Sequence, residues 1–462
     1  MKFKFALVVS VAFLAAGCAS IPSPPLEPAI RAAALDARTL NDPRLESFLA
    51  ASGIPRNGTT KPWDLQRLTL AAVYFHPDIE VADARLAVAQ AAIRTAAQRP
   101  NPVLSLSPLF NASASNPSAW IVGSSINLLL ELFGKREARA GEAKALTEAA
   151  RLDVETASWQ VRGRVRTAMV TLWSAEQHAR LVGRRRNLQT ELTGFLERRL
   201  AVGEASSLDV GRERASRDTA VLAVSDVARD IADARVSLAT AVGVPVHALD
   251  AIELDFGAVT DPTVPTDIAP LRRASLTTRS DVQASLARYD AARAAVRLQA
   301  ANRLPNLSIG PSYEYDQGDN KYGLNLQADL PIFNANGGPI GEAEARRREA
   351  AANFGALQSQ IIGDIDRAIA AYGTASVSLV NANALAAQQA DRKVRNARVF
   401  QAGAIDHVTL LVGEIEYAAG QEARLQALVA QRTALGQLED ALRISIFTPA
   451  LPAAPVYNRS AP

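Results

Sequence analysis

The feature that most constrains this chain is that it is written twice. A stretch beginning at His76-Pro77-Asp78 returns at Arg279-Ser280-Asp281. Asp78, Arg85, Ala91, Ala92, Arg94, Ala97, Pro102, Leu104 and Ser105 recur, in order, as Asp281, Arg288, Ala294, Ala295, Arg297, Ala300, Pro305, Leu307 and Ser308. Phe133 then matches Phe333, Gly141-Glu142-Ala143-Lys144-Ala145 matches Gly341-Glu342-Ala343-Glu344-Ala345, Gly203 matches Gly403, and Leu238 matches Leu438. Ala-rich helices produce chance identities, but matched Pro, Phe and Gly positions are punctuation. A duplicated unit must fold as two like halves.

Each copy predicts the same series of elements. An Ala-rich helix (about 66–99 and 272–303) leads to a short β segment and a very long helix (about 135–200 and 340–401). A Gly turn and a return helix follow (about 206–243 and 406–446). Val161, Val165, Ala168, Leu172 and Ala175 recur at alternating spacings of three and four, matched by Ile361, Ile365, Ala368, Tyr372 and Ala375. The return helices continue the pattern in Val224, Val227, Ile231, Ala234, Leu238 and in Leu425, Leu428, Leu435, Leu438, Leu442. Such spacing is that of coiled coils. At about 1.5 Å per residue the long helices reach roughly 90–100 Å, which suits a bundle or a tube.

Between Pro102 and Phe133, and again between Pro305 and Phe333, the period changes to two. Leu307, Ile309, Pro311, Tyr313 and Tyr315 alternate with Ser308, Gly310, Ser312, Glu314 and Asp316; Tyr322, Leu324, Leu326, Ala328 and Leu330 alternate with Gly323, Asn325, Gln327 and Asp329. The first copy is fainter, with Leu104, Leu106, Pro108, Phe110 and then Trp120, Val122, Ser124, Ile126, Leu128. About ten alternating residues is the length of a transmembrane strand. Aromatics near strand ends (Phe110, Trp120, Tyr315, Tyr322) suit a membrane interface. A soluble hairpin packed on a helix would alternate similarly. Four strands cannot close a barrel, yet hydrocarbon tolerates no open edge. Three copies would supply twelve.

Composition removes other classes. Lys+Arg 50 against Asp+Glu 47 leaves a formal charge of +3, with no basic footprint for nucleic acid. His76, His178, His247 and His407 are isolated, so no metal or cofactor is expected, and no nucleophile meets a base. The single Cys ends Leu14-Ala15-Ala16-Gly17-Cys18, after Lys2, Lys4 and an apolar run too short to span a bilayer. This is the pattern of a lipoprotein signal, with residues 1–17 removed and Cys18 acylated. An ordinary secretory signal with an incidental Cys is the alternative. Ala19, rather than Asp, favours the outer membrane.

The chain resembles the TolC family of outer-membrane efflux proteins over nearly all of residues 62 to 446. The duplicated unit carries the resemblance, with Leu132-Phe133-Gly134-Lys135-Arg136, the Leu330-Pro331-Ile332-Phe333 strand exit, and Gln401-Ala402-Gly403-Ala404-Ile405-Asp406 leading into Thr409-Leu410-Leu411. The resemblance implies an α+β homotrimer, with a twelve-strand transmembrane β-barrel continued by a twelve-helix periplasmic α-barrel. It implies a passive duct in the outer-membrane lipid, partnered by a periplasmic adaptor and an inner-membrane pump of RND type. Drugs and metal ions are both within the family's range. The expected division is a lipid-anchored segment 18–61, repeats 62–265 (hairpin 102–132) and 266–447 (hairpin 305–332), and a tail 448–462. Residues 244–271 and the segment after Phe447 suit a girdle around the tube. The family often narrows the periplasmic end with an Asp after the Thr-Leu-Leu stretch, and here that position is Val412. Asp406 and Glu416 are then the aperture candidates, beside the hairpin turns at Gly203 and Gly403, with Lys393, Arg395 and Arg398 as ion partners. Ordinary solvated helix charge is the other reading of both carboxylates. A periplasmic adaptor would carry one helical hairpin, not a repeated unit. A lipid-anchored spacer or adhesin would need no strands of membrane length.

Overall fold

The computed structural model describes residues 25–54, 62–113, 118–262, 264 and 267–447. Cys18, the signal segment and the 448–462 tail lie outside them. After two short helices, α1 (Pro28–Asp36) and α2 (Pro43–Ala51), the first repeat comprises α3 (Leu65–Phe75), α4 (Pro77–Ala97), β1 (Val103–Phe110), β2 (Trp120–Leu130), α5 (Lys135–Ala201) and α6 (Ser207–Val242). The second comprises α7 (Ala269–Thr278), α8 (Ser280–Ala301), β3 (Leu307–Asp316), β4 (Asp319–Ala328), α9 (Gly337–Gln401) and α10 (His407–Leu442). The long helices have 67 and 65 residues.

Two details differ from the sequence reading. Each Ala-rich helix is two helices, broken at His76 and at Arg279. Pro77 explains the first break, because the residue before a proline is driven out of the α region; His76 has φ −68° and ψ 131°. His76 Nδ1 accepts the Asp78 amide at 3.1 Å, capping α4. Burial, then the neighbouring Arg164, pushes the His76 pKa down against an opposing pull from Asp78. The cap therefore holds at neutral pH and weakens as pH falls through that lowered value. The second difference is α2. It starts on an Asp42 carboxylate that accepts the Arg44 amide at 2.7 Å, and it buries Leu45, Phe48 and Leu49.

The breaks have a use. Gly243 ends α6 at φ +84°, and a Cβ there would lie 3.0 Å from the His76 Cα, so α4 sits directly on the end of α6. Arg38 ties the junction by donating to the Phe75 and Gly243 carbonyls at 2.8 and 2.9 Å. In the second repeat Arg279 donates to the Ala441 carbonyl at 2.5 Å and Ser275 to the Leu442 carbonyl at 2.7 Å, so α8 sits on α10. Carbonyls that a helix end would leave orphaned are satisfied by these side chains.

The core lies at these junctions. Val161, Val165, Met169 and Leu172 of α5 meet Leu65 and Leu68 of α3, Leu238 and Val242 of α6, Ile361 and Ile365 of α9, and Leu435 and Leu438 of α10 in one cluster. Above and below this belt the helices carry exposed apolar residues, such as Leu222, Val377 and Val380. Among the described residues no helix is long and apolar enough to cross a membrane.

Candidate channel wall and periplasmic end

The two hairpins join into one antiparallel sheet of order β1-β2-β3-β4. The register pairs Leu104 with Ile126, Phe110 with Trp120, Leu128 with Ile309, Ile309 with Leu326 and Pro311 with Leu324. Directly opposed residues share a face, so the apolar positions of all four strands fall on one side. That side is bare: Leu106, Leu324 and Leu326 are 65%, 61% and 63% exposed. Ser105, Ser107, Ser125, Asn127, Ser308, Ser312, Asn325 and Gln327 line the other side. Val103, Leu109, Ile121 and Leu129 interrupt it, which is why the first copy reads faintly. The pairs Phe110–Trp120 and Tyr313–Tyr322 have ring centroids 5.2 and 5.4 Å apart near the far end of the sheet. β1 and β4 each keep one unpaired edge within the chain.

The helices repeat this incompleteness. Helix α5 lies between α6 and α10, and α9 packs on α10. By the internal repeat, the first long helix meets the second return helix, but the second long helix finds no first return helix. The unmatched surfaces carry Val221 and Leu222 on α6, and Val377 and Val380 on α9.

Between α5 and α10 is a buried charge cluster that sequence reasoning missed. Glu439, 0% exposed, accepts from Arg162 at 2.5 Å and from Arg166 at 2.6 Å. It also accepts the Ile446 amide at 2.9 Å. Arg166 reaches Asp440 at 2.6 Å, and Arg162 donates to Ser445 at 2.7 Å. Gly436 leaves the space that Arg166 fills, since a Cβ there would stand 2.6 Å from its Nε. The signal was present: Arg162 and Arg166 lie one turn apart inside the Val161–Leu172 apolar run, and Glu439 sits between Leu438 and Leu442.

At the other end of the rods Gly203 and Gly403 turn the chain at φ +81° and +76° with open space around them, so conformation alone selects glycine. Asp406 caps α10, accepting the Thr409 amide at 2.9 Å and hydroxyl at 2.7 Å. Those bonds, with Arg199 adding, hold its carboxyl below the usual range. Arg199 of the first repeat is its ion partner at 3.4 Å. Glu416 pairs with Arg392 at 2.9 Å, and Lys393 takes Glu414 at 2.9 Å. Neither Arg395 nor Arg398 appears in an ion pair among the described residues. Asp406 and Glu416 are about 15 Å apart along the helix axis and take different partners, so one chain does not bring them together. Val412 is 42% exposed. The seam between repeats is closed instead by Arg184–Glu414 (3.0 Å), Arg185–Glu422 (2.8 Å) and His407–Glu191 (3.1 Å). Among the described residues no group of His, Cys, Asp and Glu could hold a metal.

A repeated unit of β-hairpin, long helix and return helix, with one bare apolar sheet face, defines a class of outer-membrane proteins that extend into the periplasm. The chain belongs to the outer membrane efflux protein family, whose model matches residues 72–244 and 271–442, one segment in each repeat. It is 26% identical over 310 residues to the pyoverdine export outer membrane protein OpmQ of Pseudomonas putida, covering 66% of this chain and 63% of that protein. It is 25% identical over 220 residues to the cobalt-zinc-cadmium resistance protein CzcC of Cupriavidus metallidurans, covering 46% of this chain and 51% of that one. The chain thus spans less than two thirds of the length of either relative. Among solved structures, the outer-membrane channel OprN superposes with TM-score 0.69 at 20% identity, covering 82% of this chain and 89% of that one. The outer membrane protein VceC of Vibrio cholerae gives 0.67 at 20%, covering 82% and 95%. These two share the fold.

Proposed function

We propose that this protein is the exit duct of a tripartite efflux system, a homotrimer that conducts cargo passively across the outer membrane and catalyses nothing. One observation carries the reading. The sheet has a bare apolar face and two free edges, and the helical wall beneath it has two free flanks. Pairing β1 of one copy with β4 of the next, and α6 with α9, removes both defects at once. Three copies would close twelve strands and twelve helices. Purified in detergent, the protein is expected to have the mass of three chains by light scattering corrected for bound detergent. A monodisperse monomer would overturn the duct.

A periplasmic adaptor and an inner-membrane pump, of RND type, complete the system, and acylated Cys18 anchors the mature chain. Cargo follows the pump, since among the described residues the walls carry no group that could hold a metal. OpmQ is named for pyoverdine export and CzcC for cobalt-zinc-cadmium resistance, and either cargo fits a polar passage.

The duct is closed at rest near Gly203 and Gly403, with Asp406, Glu416 and Val412 at the aperture. Exposed ion pairs there are worth about 0–1 kcal/mol each, so an adaptor could part them readily. Asp406→Ala combined with Glu416→Ala is expected to raise single-channel conductance in planar bilayers and to lower cation preference. Unchanged values would assign the aperture to other residues.

A further inference from the structure

We propose that the membrane-proximal ends of the helices form a basic collar that binds anionic phospholipid headgroups of the periplasmic leaflet. The inference rests on reading the sheet as membrane-spanning. Arg99 and Arg303 are exposed and lie four residues before Val103 and Leu307, the first residues of β1 and β3. The headgroup layer is about 5–7 Å thick on each side of the hydrocarbon, and four residues of chain reach across it.

Arg94 and Arg297 stand just below, near the ends of α4 and α8, and they are the same position of the internal repeat. Their direction follows from helical phase. Ile79 and Val282 are buried, 2% and 1% exposed, in the core belt that α2, α3 and α7 build on one side of the wall. Arg94 is fifteen residues beyond Ile79, and Arg297 fifteen beyond Val282, a net turn of about 60° at 100° per residue. A narrow lumen could not house the belt, so that side is the outside of a closed tube. Arg347 of α9 shares it, about 40° from Ile361 by the same count.

None of Arg94, Arg99, Arg297, Arg303 or Arg347 is in an ion pair among the described residues. Three carboxylates at this level are engaged elsewhere, Glu131 by Arg139 at 2.7 Å, Asp290 by Arg293 at 2.9 Å, and Glu342 by Arg346 at 2.5 Å, while Glu142, Glu344 and Glu349 are in no ion pair among the described residues. Asp329 continues the polar face of β4, toward the lumen. The five unpaired arginines outnumber those three carboxylates, so the collar keeps a net positive charge facing the leaflet, within about one Debye length of it. Each such arginine is worth roughly fivefold in affinity for an anionic surface.

The test offers the full-length protein, in nonionic detergent, equal amounts of phosphatidylglycerol and phosphatidylcholine, and counts retained lipids by native mass spectrometry. Wild type is expected to retain phosphatidylglycerol over phosphatidylcholine by roughly tenfold or more, and less so as salt is raised. The Arg94→Gln, Arg99→Gln, Arg297→Gln, Arg303→Gln variant should lose that preference, and the matching Lys variant should keep it. Equal retention of the two lipids by a protein that still inserts into liposomes, or a Gln variant that behaves as wild type, would overturn the collar alone. Failure to enter liposomes of either lipid would overturn the membrane-spanning sheet and the collar with it.

Discussion

Glu439→Ala is expected to lower stability by about 3–5 kcal/mol, the cost of leaving buried charge without its counter-ion. Arg162 and Arg166 are 1% and 3% exposed, so neither can turn to water; without Glu439, Arg166 keeps Asp440 while Arg162 is left with only the Ser445 hydroxyl. Guanidinium groups do not escape by deprotonating. The Ile446 amide loses its acceptor as well. Glu416→Ala removes one exposed partner of Arg392 and should change stability by less than about 1 kcal/mol. Thermal unfolding of the detergent-solubilised proteins, followed by circular dichroism, compares them. Equal midpoints would mean that the cluster does not hold α10 against α5. The two ends of α10 are held differently. Its upper end is clamped by fully buried charge, while the pairs toward its lower end, Arg185–Glu422, Lys393–Glu414 and Arg392–Glu416, are half-buried or exposed.

Gly310→Val is expected to separate β2 from β3 and to keep the chain out of the membrane. A Cβ at Gly310 would stand 2.1 Å from the Ile126 carbonyl oxygen and 2.7 Å from Asn127 Oδ1, so backbone must give way. Over-packing of this kind costs about 1–3 kcal/mol and occasionally more, and the loss falls on the pairing that joins the two hairpins. Gly123→Ala is the control, because its Cβ would meet Ser107 Cβ at an ordinary 3.7 Å. Outer-membrane fractions should contain little of the Gly310 variant and normal amounts of the Gly123 variant. Equal recovery of both would show that β2 and β3 do not depend on this close approach.

Much of the architecture was legible in the chain because it rests on local rules. Apolar spacing of three and four specified α5, α6, α9 and α10, and alternation of two specified all four strands. Gly203 and Gly403 marked the reversals because only glycine takes φ > 0 without strain. Pro77 marks a break in the sequence, but a proline at the first position of a helix is also easily absorbed into a longer pattern. The break at Arg279 has no such mark. Its cause is tertiary, in the α10 carbonyls that Arg279 and Ser275 cap.

The aperture shows the limit most clearly. Sequence proximity suggested Lys393, Arg395 and Arg398 as partners of Asp406, whereas the structure pairs it with Arg199 of the other repeat. Helical periodicity says which residues share a stripe, but not which neighbouring rod that stripe meets. The sequence by itself determined the duplicated unit, its element order and the two faces of each strand, all set by periods within one segment. Only the tertiary structure decided that β2 pairs with β3, that α5 lies against α10 and that Glu439 is enclosed by two arginines. Those contacts join residues from opposite halves of the chain, and the physics that selects them, burial and charge pairing across space, leaves no period to read.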